Sequence, residues 1–192
     1  MQDFTFYFRL GWEHILSWDA LDHILFIAAL SAIYLVNNWK QVAILVTAFT
    51  IGHSVTLALS VYDVVRISSK WVEFLIPLTI VLTALFNFLH KDYSKASLRM
   101  NYFLAFFFGL IHGMGYANTI RFMLMKDQQI AIPLFGFNVG LEAGQLLVVA
   151  AILSGSYLVV NKLSVSRKWW VWTLSGIAFC WAAFIAVNRL PA

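Results

Sequence analysis

Long apolar stretches separated by short polar breaks run through the whole 192-residue chain. Each stretch approaches the roughly 20 residues that a helix needs to cross a bilayer. Because the connections are short, consecutive helices are expected to run antiparallel as neighbours. The pattern predicts an all-α integral membrane bundle of about six transmembrane helices in a single domain. The predicted helices cover about 16–36, 40–61, 71–89, 98–121, 133–160 and 169–187.

The composition agrees with a lipid solvent. Apolar residues make up 61% of the chain, charged residues only 11%, and the mean hydropathy is +0.80. Such values lie outside the range of soluble domains. The net charge of +4 is spread over short loops without a Lys/Arg cluster, so nucleic acid is not expected as a partner. The single cysteine, Cys180, excludes an internal disulfide.

The first ten residues lack the basic start and long apolar core of a signal peptide, so no cleaved leader is expected. Aromatic side chains in this stretch are expected at the membrane interface, which favours such rings. They are Phe4, Phe6, Tyr7 and Phe8. The pattern gives no sign of an internal repeat.

Basic residues give a weak indication of orientation. One side of the predicted bundle carries Lys40, Lys91, Lys95, Arg99, Lys162, Arg167 and Lys168. The other side carries Arg9, Arg66, Lys70, Arg121, Lys126 and Arg189. The first set lies in tight loops, where Lys and Arg favour the cytoplasmic side. Both termini are therefore predicted to lie outside the cytoplasm.

Ionisable residues open the first apolar segment. Asp19, Asp22 and His23 share one face near the start of that segment, close to the positive end of a helix dipole. Ionisable groups inside a membrane are costly and are therefore candidates for function. The alternative is that the two aspartates only cap the helix at the headgroup level.

Depth along the helices brings three histidines together. Because a helix rises about 1.5 Å per residue, His23, His53 and His112 are each expected roughly 10 to 14 Å below the same membrane surface. A single intramembrane histidine usually forms a hydrogen bond between helices. Three in one layer favour a metal site instead. The hydroxyls of Thr47, Thr50 and Ser54 are expected to orient the second ring nitrogen of His53, as metal-bound histidines require.

The predicted fifth helix has one polar face and one small-residue face. Asn138, Glu142 and Gln145 have the spacing i, i+4, i+7 and are expected to face the histidines. Gly136, Gly140 and Gly144 lie out of phase with them and allow a neighbouring helix, or a helix-mediated homo-oligomer, to approach closely.

Other ionisable residues are weaker candidates. Glu73 starts the third helix near the surface, and His14 precedes the first helix, so both are secondary candidates together with Asp19. His90 is expected to be a solvated loop residue.

Several segments in order resemble the HupE/UreJ family of small bacterial membrane proteins, and the likeness extends over five of the six predicted helices. The segments are His14-Ile15, Asp22 to Phe26, Thr47 to Leu57, Phe108 to Gly115 and Phe137 to Gln145. The resemblance implies a permease for nickel or cobalt in a bacterial inner membrane. It also implies metal-handling roles for Asp22, His23, His53, His112 and Glu142. His14 departs from the family pattern, because it stands farther from the Asp-His pair than in the family.

The chemistry leaves the ion and the function open. Imidazole with carboxylate suits nickel, cobalt and zinc alike. A permease predicts a polar route from the His23 layer past Thr47 and Thr83 to Asn87. The alternative is an intramembrane zinc hydrolase with a three-histidine site, by analogy with the ceramidase and adiponectin-receptor group. Its catalytic residues would be Asp22 or Glu142 as general base, with Ser54. A metal-free interaction subunit is a third reading.

Overall fold

A computed structural model describes residues 2–89, 95–116 and 130–191, and for residues 2, 3, 19 and 95–100 only the backbone is described. Seven α-helices form a single domain in this part of the chain. They are α1 Gln2–Leu16, α2 Leu21–Ser31, α3 Trp39–Val61, α4 Ser69–Leu89, α5 Lys95–Gly115, α6 Ala131–Ser156 and α7 Arg167–Asn188. Short 3-10 turns precede α2 and α3 at Trp18–Ala20 and Val36–Asn38, and the π-helical turn Tyr157–Lys162 extends α6.

The architecture is that of a membrane bundle. Among the described residues, α3, α4, α6 and α7 are each long and apolar enough to span a bilayer. Large apolar side chains on the outside of the bundle are exposed, including Ile177 at 56% and Phe184 at 68%. Such an apolar exterior is stable in lipid. The predicted all-α membrane fold is therefore confirmed.

The first predicted segment, 16–36, is divided in the structure. Helix α1 ends at Leu16, Ser17 adopts an extended backbone, and α2 runs only from Leu21 to Ser31. An 11-residue helix is about 16 Å long, which is too short to span a bilayer alone. Ser and Asp compete with helical hydrogen bonds through their own side chains, and the break lies at Ser17 and Asp19. The apolar pattern of the sequence did not predict this break between α1 and α2.

The remaining segments lie close to their predicted positions. The helices predicted at 40–61 and 71–89 cover 39–61 and 69–89 in the structure. The helix predicted at 133–160 covers 131–156 and is extended to 162 by the π-helical turn. The helix predicted at 169–187 covers 167–188. Helix α5 covers 95–115, and the end of the predicted 98–121 lies outside the described residues.

The N-terminal aromatic residues belong to helix α1, in which Phe6 is 58% exposed, and the interfacial position expected for these rings stays a prediction. Helix α1 lies on α6, and Tyr7 is only 7% exposed. A Cβ on Gly140 would overlap the carbonyl oxygen of Phe8, and one on Gly11 would overlap that of Phe137. Gly136 lies beside Phe4, farther towards the start of both helices, so α1 and α6 run parallel. The predicted close approach at the glycine face is thus made by α1 of the same chain.

Helices α3 and α5 form a second parallel pair of the same design. A Cβ on Gly109 would overlap the carbonyl oxygen of Phe49, and one on Gly52 would overlap that of Phe106. One turn farther along both helices, Gly113 lies against the backbone of His53. In each pair, two glycines remove the side chains that would keep the backbones apart.

These matching contacts reveal an internal repeat, contrary to the sequence-based expectation. The motif Phe-x-x-Gly-x-x-His ends at His14 in α1 and at His112 in α5, 98 residues later. The motif Ser-x-Lys-Trp opens α4 at Trp71 and α7 at Trp169, again 98 residues later. In both copies of that motif, the Trp backbone N–H donates to the Ser carbonyl over 3.0 Å. Helix α1 therefore corresponds to α5, and α4 corresponds to α7.

The remaining pair of helices completes the correspondence. Phe-x-x-Gly recurs in α3 at Gly52 and in α6 at Gly140. Each of these helices is followed by a non-glycine residue with positive φ, Asp63 at 64° and Ser164 at 55°. In the repeat, the pair formed by α1 and α6 therefore corresponds to the pair formed by α5 and α3. Residues 119–129, which stand 98 positions after α2, lie outside the described residues.

The two halves have opposite directions. His53 meets Asn138, whereas Thr50, nearer the start of α3, meets Gln145, farther along α6. Helices α3 and α6 are therefore antiparallel, and so are the two parallel pairs that contain them. We call the face where α1 and α6 begin the near face, and the opposite one the far face. The repeat is inverted.

Candidate metal site

Four histidine rings gather where the two helix pairs meet. The ring of His23 lies at the centre, with its centroid 4.9 Å from that of His14, 5.1 Å from that of His112 and 6.4 Å from that of His53. His53 is fully buried, and His23 and His112 are nearly so. The structure therefore brings the three predicted histidines together and adds His14, which the sequence ranked as secondary.

The helices account for this meeting. His53 lies eight residues before the end of α3, and Asn138 lies seven residues after the start of α6, so both are roughly 10 to 12 Å below the near face. His14 and His112 stand near the ends of α1 and α5. His23 is in the first turn of α2, just after the break in the chain.

Asp22 fixes one nitrogen of His23. Its carboxylate oxygen Oδ1 lies 2.9 Å from Nδ1 of His23 and also accepts the backbone N–H of the same residue over 2.8 Å. A carboxylate can only accept here, so Nδ1 carries the proton and Nε2 keeps its lone pair.

Thr79 fixes one nitrogen of His112. Its hydroxyl donates to the carbonyl of Ile76 over 2.7 Å, so its oxygen accepts from Nε2 of His112 over 3.1 Å. The remaining nitrogen, Nδ1, then keeps its lone pair. Thr79 was missed by the sequence analysis, although the spacing i, i+3, i+6 places it on one face of α4 with Glu73 and Ile76.

Asn138 fixes one nitrogen of His53. The amide of Asn138 donates to the carbonyl of Leu134 over 2.8 Å, and its oxygen accepts from Nδ1 of His53 over 3.4 Å. The hydroxyls predicted for this role point elsewhere: Thr50 donates to Gln145, and Ser54 donates to the carbonyl of Thr50. That expectation was wrong, because these hydroxyls bond other acceptors.

The other nitrogens of the four rings are buried without a hydrogen-bond partner in the described part of the chain. They are Nε2 of His14, His23 and His53, and Nδ1 of His112. Two imidazoles bound to one ion over about 2.0 to 2.1 Å have ring centroids up to roughly 6 Å apart. The rings of His14 and His112 lie within that limit of His23, and the ring of His53 lies slightly beyond it. Among the described residues, no three His, Cys, Asp or Glu side chains stand in positions that could hold a metal ion.

A cavity of about 260 Å³ leads from the near face to the rings of His14, His23 and His112, and we call it the vestibule. It is lined by His14, Ala20, Asp22, His23, Glu73, Ile76, His112, Gly115, Tyr116 and Arg189. The ring of Tyr116 stacks on Phe137 and lies 4.2 Å from that of His14, between centroids. The lining contains two carboxylates, Asp22 and Glu73, against one guanidinium, Arg189.

A family model described as HupE / UreJ protein matches residues 1–189 of the chain. The chain belongs to the HupE/UreJ family. This is a family of the nickel/cobalt transporter type, which favours a transporter over an enzyme and agrees with the apolar helices. Comparison with curated proteins and with solved structures gave no match.

In this HupE/UreJ chain, Glu142 lies apart from the vestibule. Its carboxylate accepts a hydrogen bond of 2.6 Å from Thr47 of α3, and Glu142 is absent from the vestibule lining. Gln145 likewise accepts from Thr50 over 2.9 Å. The polar stripe of α6 thus faces α3 throughout, but only Asn138 contacts a histidine of the site.

Three further candidates can be placed. Glu73 lines the vestibule, Ser54 is turned towards its own helix, and the side chain of Asp19 is not described. His90 lies outside the described residues.

A second cavity of about 350 Å³ lies between α2, α4 and α5 in the far half. Thr83 and Asn87 line it, and most of its other lining residues are apolar. The amide of Asn87 donates to the carbonyl of Ala29 and to the hydroxyl of Ser175, so it is already engaged. Thr47 does not line this cavity, so the cavity by itself does not connect Thr47 with Thr83 and Asn87.

Proposed function

We propose that this chain is a membrane permease for a divalent transition metal ion, nickel or cobalt, which His23, His53 and His112 bind during its passage. The proposal rests on the hydrogen bonding of the ring nitrogens of these three histidines. Each has one nitrogen fixed by an oxygen acceptor and the other buried with a free lone pair. This is the arrangement by which hydrogen-bonded partners orient metal-binding histidines.

Asp22 serves this site by holding His23 and by adding negative charge beside the ion. Zinc would suit the same donors, so the donor chemistry leaves three ions possible. Membership of the HupE/UreJ family supports nickel or cobalt. Glu142 is not part of the proposed ligand set, because it bonds Thr47 instead.

The zinc-hydrolase alternative has less support. It requires a serine beside the metal, whereas the hydroxyl of Ser54 donates to the carbonyl of Thr50 over 2.7 Å. Of the two carboxylates considered as its general base, Asp22 is already hydrogen-bonded to His23, and Glu142 is hydrogen-bonded to Thr47. The described geometry therefore favours ion binding over hydrolysis.

We further propose that the protein lies in a bacterial inner membrane with both termini outside the cytoplasm. The tight basic loops that include Lys40 and Lys162 support this orientation. The vestibule would then open to the outside. A reporter that is active only in the cytoplasm, fused after the last residue, should be inactive, and activity there would reverse the orientation.

The proposed function is tested by nickel uptake into proteoliposomes. His53→Ala should abolish uptake, because the site loses one of three ligands. Ser54→Ala is the matched control on the same helix, and it should transport like the unaltered protein. Protein that holds zinc tightly, gives no nickel or cobalt flux and loses a hydrolytic activity on Ser54→Ala substitution would instead establish the enzyme.

A further inference from the structure

The inverted repeat places His14 and His112 in equivalent positions. Each closes a Phe-x-x-Gly-x-x-His motif, and each ring lies about equally far from His23, at 4.9 and 5.1 Å between centroids. The histidine layer therefore lies where the two halves of the chain meet. In transporters built from inverted repeats, the substrate site lies at such a junction, among interrupted helices. The break between α1 and α2 supplies one such interruption.

The two halves differ in what they expose. On the near face, Ile76 of α4 and Gly115 and Tyr116 after α5 line the vestibule. Their counterparts 98 residues away in the repeat are Leu174 of α7, and Ser17 and Trp18 after α1.

None of these counterparts lines the vestibule. Leu174 and Ser17 are partly buried, and Val171, the counterpart of Glu73, is fully buried. Among the described residues, the vestibule is therefore lined by one member of each of these repeat-related pairs, while the counterparts Ser17, Val171 and Leu174 do not line it.

We infer that a second vestibule, lined by Ser17, Val171 and Leu174, opens to the far face when the two halves exchange conformations. This inference rests on the proposed function and deepens it. The permease alternates between two states, and the same histidines meet the near face in one state and the far face in the other. The cargo released through the second vestibule is the same divalent metal ion.

The similarity of the two halves is the physical reason why they can exchange conformations. Both parallel pairs are held by the same reciprocal glycine contacts, so each half can adopt the packing of the other without new kinds of contact. Discrete alternative packings of this kind carry conformational change in proteins, because packed interfaces are bistable. The cavity beside Thr83 is the competing exit. None of Ser17, Val171 and Leu174 lines that cavity, so labelling can tell the two exits apart.

Cysteine accessibility in proteoliposomes tests the inference. Cys180 is exposed and is the single cysteine of the chain, so Cys180→Ser provides the background. Single variants Leu174→Cys and Ser17→Cys report on the far side, and Ile76→Cys reports on the vestibule. Ile177→Cys, on the exposed apolar face of α7, is the matched control. A charged, membrane-impermeant thiol reagent is applied from one face at a time.

Only variants that still transport nickel are scored. Leu174→Cys and Ser17→Cys should react from the far face, Ile76→Cys from the near face, and Ile177→Cys from neither. Saturating nickel should change the far-face and near-face rates in opposite directions. The inference is overturned if transporting Leu174→Cys and Ser17→Cys proteins stay unreactive from the far face, or if Thr83→Cys reacts there in their place. Absence of nickel flux in the unaltered protein would instead defeat the proposed function.

Discussion

Thr79 accepts a hydrogen bond from His112, and this single contact determines which nitrogen of His112 can bind a metal ion. The hydroxyl proton of Thr79 is committed to the carbonyl of Ile76, so the ring must donate through Nε2. The lone pair then resides on Nδ1, which is buried and has no partner among the described residues. A neutral side chain on a neighbouring helix thereby orients a ligand.

Replacing Thr79 should weaken metal binding. Thr79→Val keeps the shape of the side chain but removes the acceptor, so His112 loses its fixed tautomer, and nickel affinity should fall about 10- to 100-fold. Thr79→Ser retains the hydroxyl and should restore affinity. Calorimetric titration of purified protein measures both. Thr83→Val is the control, because that hydroxyl bonds only its own helix, at the carbonyl of Thr79. Equal losses in Thr79→Val and Thr79→Ser would contradict the proposed role.

Glu142 should matter for packing more than for metal binding. Glu142→Gln retains an oxygen that accepts from Thr47, so both nickel affinity and stability should stay near those of the unaltered protein. Glu142→Leu leaves the Thr47 hydroxyl without its acceptor and should lower the free energy of unfolding by about 1–3 kcal/mol. Metal titration and thermal unfolding in detergent separate the two effects. A large loss of nickel affinity in Glu142→Gln would return Glu142 to the ligand set.

The glycines at the helix crossings should not tolerate a methyl group. Gly109→Ala and Gly140→Ala would each drive a Cβ into a backbone carbonyl of the partner helix, so the helices must separate. We expect a loss of about 1–3 kcal/mol or more in stability. Gly176→Ala is the matched control, because a Cβ there meets nothing within 4 Å. It should be neutral or stabilising, since alanine favours helices. Similar melting temperatures for all three would refute the close packing.

Bound metal should stabilise the folded protein. At a free nickel concentration about 100 times the dissociation constant, binding adds about 2.7 kcal/mol to the free energy of unfolding. Removing the ion with a chelator should reverse the rise in melting temperature. His23→Ala should abolish the rise, because His23 is the central ring of the site, while Ser54→Ala should retain it. A rise of the same size in His23→Ala would place the binding site elsewhere.

The helices and the layer of histidines could be predicted from sequence because both depend on local regularities. Apolar length determines which stretches can lie in lipid, and the fixed rise of a helix converts residue number into depth. Those two rules placed His23, His53 and His112 at one level. Helical phase also placed Asn138 on the face opposite the glycines.

Only the tertiary structure decided the partners of those residues. Which acceptor reaches His53 or His112 depends on the lateral position of helices far apart in sequence, which periodicity leaves undetermined. The contacts from Asn138 and Thr79 and the separation of Glu142 from the histidines arise in this way. The inverted repeat could not be recognised from the sequence, because its common motifs are short. The matching backbone contacts of Gly11 and Gly109 in the structure reveal it. The sequence determined the depth of each group, and the packing of the helices determined its neighbours.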